Sequence, residues 1–386
     1  MKQQKIFAII IVTISLFSLQ CMKDPTSVGK DLLPPGDSFS VADTTFSNYK
    51  DTVVSVTIPM GTGGSNLVGN TSFLNSKALV KFNPISFPDS LKNASIEKAS
   101  IIFSINYEKN ISSSLQFSLF EIQSNWSSTT FTIDSLNLLT QNSIVSGNSN
   151  SDDISIGKKI VFNTVDTSII RKWIRASYDT LAPKTYGFIV RPSSEMENTG
   201  VFGFSPFGSD TLSPKLQIIF LNNVGTKDTV TISSGEDTFV ATSTEVYGDD
   251  IVLQSGTATR GMVYFDVSHI PINSTINNAM LELTLNTEKS ELGKSNFADS
   301  IIVSTTDSAK IKYAVLGTKK TSDASIIYSA NVSFIVDSWL HNVNINEGFV
   351  LRSPTENSTV NKLVFYSSYE VDVKKRPKLF ITYSKK

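Results

Sequence analysis

Few side chains in this sequence are equipped for covalent chemistry. Its 386 residues include 2 histidines and 1 cysteine, and neither His269 nor His341 has a partner at metal-ligand spacing. His269 precedes Ile270-Pro271 in a turn-like stretch, so histidine-dependent schemes lack their central group. Paired carboxylates are the remaining route to catalysis, and they would hydrolyse a glycosidic bond. Asp249-Asp250, Glu195 and Glu356 are the acids to consider. Neighbouring residues on a strand project to opposite faces, so Asp249 and Asp250 do not form an acid–base pair with each other. The sequence has no GxGxxG opening a helix, no phosphate loop and no Cys-x-x-Cys pair. No enzymatic activity, no cofactor and no metal are expected.

Binding is better supplied. Sugar recognition uses aromatic faces for stacking and polar groups for hydroxyls, with Arg or Lys called for by an acidic polymer. Tyr247, Asp249, Arg260 and Arg352 are of those types and are the candidate ligand-binding residues. Arg191 with Glu195, and Arg352 with Glu356, recur at one spacing that also suits a local ion pair at a strand end. Trp173 and Trp339 lie on the apolar faces of short helices and are assigned to the core; Trp126 is assigned to packing over a loop. With 34 Lys and Arg against 35 Asp and Glu, a net charge of −1 leaves no footprint for nucleic acid.

The elements that must carry these residues are strands. The chain is 40% apolar and 18% charged, a globular composition, and it is rich in Ser, Thr and Asn at the expense of helix formers. Alternation over Ala99 to Tyr107 puts Ile101, Phe103 and Ile105 on one face, and Met280 to Leu285 alternates likewise. Leu115 to Ile122, Lys158 to Phe162, Ser300 to Val303 and Lys310 to Leu316 add further short segments, while the polar tract Asn137 to Asp153 reads as a surface loop.

These segments occur twice. Gly187-Phe188-Ile189-Val190-Arg191 matches Gly348-Phe349-Val350-Leu351-Arg352, and Pro214-Lys215-Leu216 matches Pro377-Lys378-Leu379. Phe202 to Ser205 answers to Val364 to Ser367, Ile169, Ile170 and Trp173 to Ile335, Val336 and Trp339, Ala78 to Phe82 to Gly261 to Phe265, and Asp51-Thr52-Val53 to Asp237-Thr238-Phe239. The expected fold is all-β, with two tandem antiparallel β-sandwich (jelly-roll-like) modules at residues 41–223 and 227–386, each with one short helix.

Ahead of the modules, Lys2 and Lys5 precede an apolar run from Ile6 to Phe17 that is too short to cross a bilayer, and Cys21 follows at once. This segment resembles a bacterial lipoprotein signal, which implies a signal peptide over residues 1–20 and acylation of Cys21. The acyl chains would tether the protein to an envelope membrane. Met22-Lys23-Asp24 resembles the export signals of outer-surface lipoproteins, which implies an outer-membrane, surface-exposed location. Residues 21–40, with Pro25, Pro34 and Pro35, then read as a linker.

The second module carries a family resemblance over nearly its full length. Asp237-Thr238-Phe239-Val240, Tyr247-Gly248-Asp249-Asp250, Arg260 to Asp266 and Ile270-Pro271 resemble the DNRLRE-type domain, similar to carbohydrate-binding module family 96. Trp339, Gly348 to Arg352 and Arg376 to Leu379 are similar to that family's closing strands. In the first module Asn125-Trp126 to Phe131 resembles the family's tryptophan-threonine segment, but Tyr247-Gly248 has no counterpart and Lys77 stands where Arg260 does. The resemblance implies an extracellular β-sandwich that binds polysaccharide through the second module. The competing expectation is a structural or adhesive surface protein whose modules are spacers or protein-binding units.

Overall fold

Period-two alternation is realised in the long strands, where Ile101, Phe103 and Ile105 are all buried on one face. The computed structural model describes residues 40–47, 49–83, 87–111, 116–139, 141–144, 149–150, 154–163, 165–193, 200–222, 224–243, 245–292, 299–307, 310–322 and 325–385. The segment read as a signal, Cys21, most of the linker and Glu195 lie outside the described residues.

In chain order the strands are β1 (Ser40–Ser47), β2 (Lys50–Ser55), β3 (Asn66–Asn70), β4 (Leu74–Phe82), β5 (Ser95–Lys109), β6 (Gln116–Ile122) and β7 (Gln141–Ile144). They continue with β8 (Ser149–Asn150), β9 (Lys159–Phe162), β10 (Phe188–Pro192), β11 (Gly200–Phe204), β12 (Lys215–Leu221), β13 (Lys227–Ser243) and β14 (Ile251–Gln254). The last are β15 (Thr259–Tyr264), β16 (Thr275–Thr284), β17 (Ser300–Asp307), β18 (Lys310–Thr321), β19 (Ile326–Asn331), β20 (Phe349–Arg352), β21 (Lys362–Phe365) and β22 (Lys378–Lys385). Within the tract expected as a surface loop, β7 and β8 pair with β6, because even a polar segment satisfies its backbone on an open sheet edge.

The fold is all-β, built as two 11-stranded antiparallel sheets. The first holds β3 to β13, and the second holds β1, β2 and β14 to β22. Helix α1 (Thr167–Tyr178) is N-capped by Asp166, whose carboxylate accepts from Ser168 N at 2.8 Å, and it buries Ile169, Ile170, Trp173 and Ile174. Helix α2 (Ser333–Leu340) buries Ile335, Val336 and Trp339. Trp173 lies 4.7 Å from the Phe188 ring and Trp339 4.7 Å from the Phe349 ring, so both tryptophans are core residues with recurring packing.

The sequence repeat is also a repeat of register. Val190 opposes Ala78 as Leu351 opposes Gly261, and Leu216 opposes Ile101 as Leu379 opposes Leu281. Gly187 and Gly348 hold matching positive φ values of 87° and 86°. A Cβ would lie 2.0 Å from Val80 O in one case and 2.7 Å from Val263 O in the other. Only glycine accepts that conformation beside a neighbouring strand.

The strands that lead each repeat are reciprocally exchanged. Asp51 of β2 opposes Val263 of β15, while Asp237 of β13 opposes Val80 of β4. Thr45 of β1 opposes Phe380 of β22, while Thr231 of β13 opposes Gln217 of β12. Equivalent leading residues thus meet equivalent acceptors in the other half. At the division expected between the two modules, Asn222, Val224 and Thr226 belong to the turn of the β12–β13 hairpin, with Asn222 Oδ1 accepting from Val224 N and Thr226 N. Strand pairing therefore crosses the 41–223 and 227–386 division in both directions.

The exchange has a topological reason. β13 pairs with β12 through its first half and with β4 through its second, so one long strand links two parts of the first sheet. β1 and β2 make the same link in the second sheet.

Candidate functional site

The segment from residue 245 to 250 leaves the end of β13 and enters β14, crossing from the first sheet to the second. It is held by Tyr247, whose hydroxyl donates to Gln254 Oε1 at 2.6 Å and lies 2.8 Å from Ser243 Oγ and 3.3 Å from Thr259 Oγ1. On one side opens a cleft of about 640 Å³ walled by Tyr247, Asp249, Val252 and Tyr369. On the other lies a cleft of about 550 Å³ lined by Val56, Ile58, Met60 and Val240. Glu245, Val246 and Tyr247 line both, so this crossing segment is the ridge between them.

The larger cleft is acidic. Glu245, Asp249, Asp250, Glu288, Glu291 and Glu370 face Lys289 and Lys362, six carboxylates against two lysines. Lys362 Nζ is 2.8 Å from Glu245 and 3.5 Å from Glu291, and Lys289 pairs with Asp250. An anionic polymer would meet a net negative wall.

Two of the four candidate binding residues line this cleft, and two do something else. Tyr247 and Asp249 are on its wall. Arg260, on β15, makes a bidentate ion pair with Glu356 at 2.8 and 2.9 Å, and Arg352 Nη1 stands 3.8 Å from the same carboxylate. Glu356 is only 6% exposed in its side chain, so Arg260 is committed to a buried anion, with Arg352 as a longer-range ion-pair partner. Glu356 also accepts Gly256 N on its backbone oxygen, fixing the start of the loop over residues 356–361. Arg191 stacks 3.8 Å above the Phe120 ring. Trp126 is buried against Phe131 and donates its indole N–H to Tyr186 O at 2.7 Å, which makes it a packing residue.

That loop welds the second sheet to the first. Tyr107 hydroxyl accepts from Val360 N at 3.0 Å, and Lys109 Nζ donates to Val360 O at 3.0 Å. Val360 is itself buried in the first core. Lys109 and Lys362 stand 4.7 and 4.9 Å from the Phe73 ring centroid, a paired cation–π contact behind the cleft. Burial drives the Lys109 ammonium down to about 8, against the pull of Glu291 and together with repulsion from Lys362. Burial likewise pushes the Tyr107 hydroxyl up to about 12. Sequence reasoning missed this cluster. Its signal was present in β5, where Lys109 continues the inward series Ile101, Phe103, Ile105 and Tyr107.

His341 Nδ1 lies 3.0 Å from Asp337 O at the end of α2, exposed and outside both clefts. Among the described residues, no group of three or more His, Cys, Asp and Glu is placed to hold a metal ion. Among the same residues, no helix is long and apolar enough to cross a membrane. No family model matches the chain, and no curated protein matches it.

Proposed function

We propose that the protein is a non-catalytic, lipid-anchored envelope protein that binds an extracellular polysaccharide in the cleft beside Tyr247. The observation that carries this reading is the pair of clefts sharing one ridge. An open trough walled by Tyr247 and Tyr369, continued past the ridge by a second trough, suits an extended polymer better than a compact metabolite. The carboxylates of the larger cleft suit neutral or amine-bearing sugars, and its charge disfavours acidic ones. The resemblance of the second half to the DNRLRE-type domain supports the same class of ligand. The lipoprotein-like start supports anchoring through Cys21 at the outer membrane with the folded part facing outward.

A spacer role is the second reading, favoured by the pairing of Arg260 and Arg352 with Glu356. Affinity electrophoresis of the mature chain through gels containing neutral, amino-sugar or acidic polysaccharides separates the two. Retention by a neutral or amino-sugar polymer, lost by about tenfold in Tyr369→Ala with an unchanged melting temperature, is expected for binding. Tyr369 is 67% exposed, so its truncation leaves the core intact. Absence of retention in every gel selects the spacer.

A further inference from the structure

The two leading segments occupy equivalent places and are held very differently. In β13, Ile232, Ser234 and every residue from Asp237 to Ala241 are buried, its first half pairing with β12 and its second with β4. In β1 and β2 no residue reaches full burial, and Phe46 and Ala42 are only partly covered by the second core. β13 is joined to its acceptor β12 by a short hairpin turn, whereas β1 reaches β22 from the far end of the chain, Ser40 opposing Lys385. Closing that long loop costs entropy that the hairpin does not. The hydrogen bonds are nonetheless continuous and in register over all of β1, and Asp51 Oδ2 accepts from Ser368 N at 2.6 Å.

The two acceptor edges thus hold their leading strands in equivalent registers, each strand coming from the other repeat. We propose that residues 40–55 form an exchangeable strap, and that the partner this strap fits is the β22 and β15 edge of a second copy of the chain. Detachment exposes backbone groups of β22 and β15 that require a strand of the same register, and a neighbouring copy carries one. The same pairings are made within one molecule or between two, so the balance is set by concentration.

The test uses the full chain carrying Cys21→Ser, so that introduced thiols are the only ones. One population carries Thr45→Cys and the other Phe380→Cys, outward-facing residues opposite each other across β1 and β22. The populations are mixed, incubated concentrated below the melting temperature and oxidised. Exchange gives a disulfide-linked heterodimer at least about tenfold faster than Thr45→Cys mixed with Val371→Cys, an exposed residue outside the strand register. Equal rates, or no heterodimer, overturn the proposal. Hydrogen exchange on the unmodified chain gives a second reading. Amides of residues 41–55 must exchange together at least about tenfold faster than those of residues 228–241, and equal protection would refute a detachable strap.

Discussion

Replacing Lys109 by methionine removes a charge that the fold holds against its solvation preference. The Lys109 side chain is 4% exposed, and burial lowers its ammonium from 10.5 to about 8. Between those two values the unfolded chain keeps a proton that the folded chain has released, so stability rises with pH. Below about pH 8 both states are protonated and the cost of the buried charge is present in full. Each unit is worth 1.36 kcal/mol, so the whole window amounts to roughly 3 kcal/mol. Tyr107 works in the opposite direction, but only above pH 10, where the folded chain retains a phenolic proton that the unfolded chain loses. The interval from pH 8 to 10 therefore reports on Lys109. Lys109→Met should abolish the rise there. At pH 7 it should gain about 1 to 2 kcal/mol, the relief of desolvation less the charge-assisted bond to Val360 O. Urea midpoints followed by tryptophan fluorescence at pH 7, 8, 9 and 10 measure both effects. A wild-type chain with flat stability over this range, and a variant that is weaker at pH 7, would show that Phe73 and Glu291 offset the desolvation fully.

Two further substitutions test the other structural claims. Arg260→Met strips the bidentate partner from a buried Glu356 and should cost about 3 kcal/mol in urea unfolding, with Arg260→Met/Glu356→Met recovering most of it; equal losses in both would mean that the pair is not what holds the loop. Gly348→Ala places a Cβ 2.7 Å from Val263 O at φ 86°, whereas Gly157→Ala at φ 85° meets nothing within 4 Å. The first should lose at least about 2 kcal/mol and the second about 1 kcal/mol, and thermal melts showing no difference would refute the steric account.

The repeat was legible because the residues that set register are conspicuous. Gly187 and Gly348 cannot be replaced by a side chain where they pass a neighbouring strand, so the same letters stand in both halves. The exchange of leading strands was not legible, and the reason is degeneracy. Asp51-Thr52-Val53 and Asp237-Thr238-Phe239 are equivalent donors, Val263 and Val80 equivalent acceptors, and alternation gives no information about which donor meets which acceptor. The choice is made by connectivity: a hairpin turn at residues 222–226 commits β13 to β12, and the remaining acceptor is left for β1 and β2. Arg260 shows a similar limit. The local Arg352 and Glu356 spacing was visible, but the tighter partner of Glu356 lies 96 residues away in sequence, brought close by the β15–β20 pairing.

The position of the clefts follows from the exchange itself. Each leading segment ends in one sheet, and the chain must then cross to the other: residues 56–65 cross after β2, and residues 245–250 cross after β13. The smaller cleft is lined by the first crossing through Val56, Ile58 and Met60, and the larger by the second through Tyr247 and Asp249. These crossings run outside the strands, and both clefts lie beside them. A binding surface placed there depends on the relative setting of the two sheets. Lys109, Tyr107 and Lys362 fix that setting through Val360 and Phe73. Loosening this weld at Tyr107 or Lys109, neither of which lines the larger cleft, should therefore weaken ligand retention there.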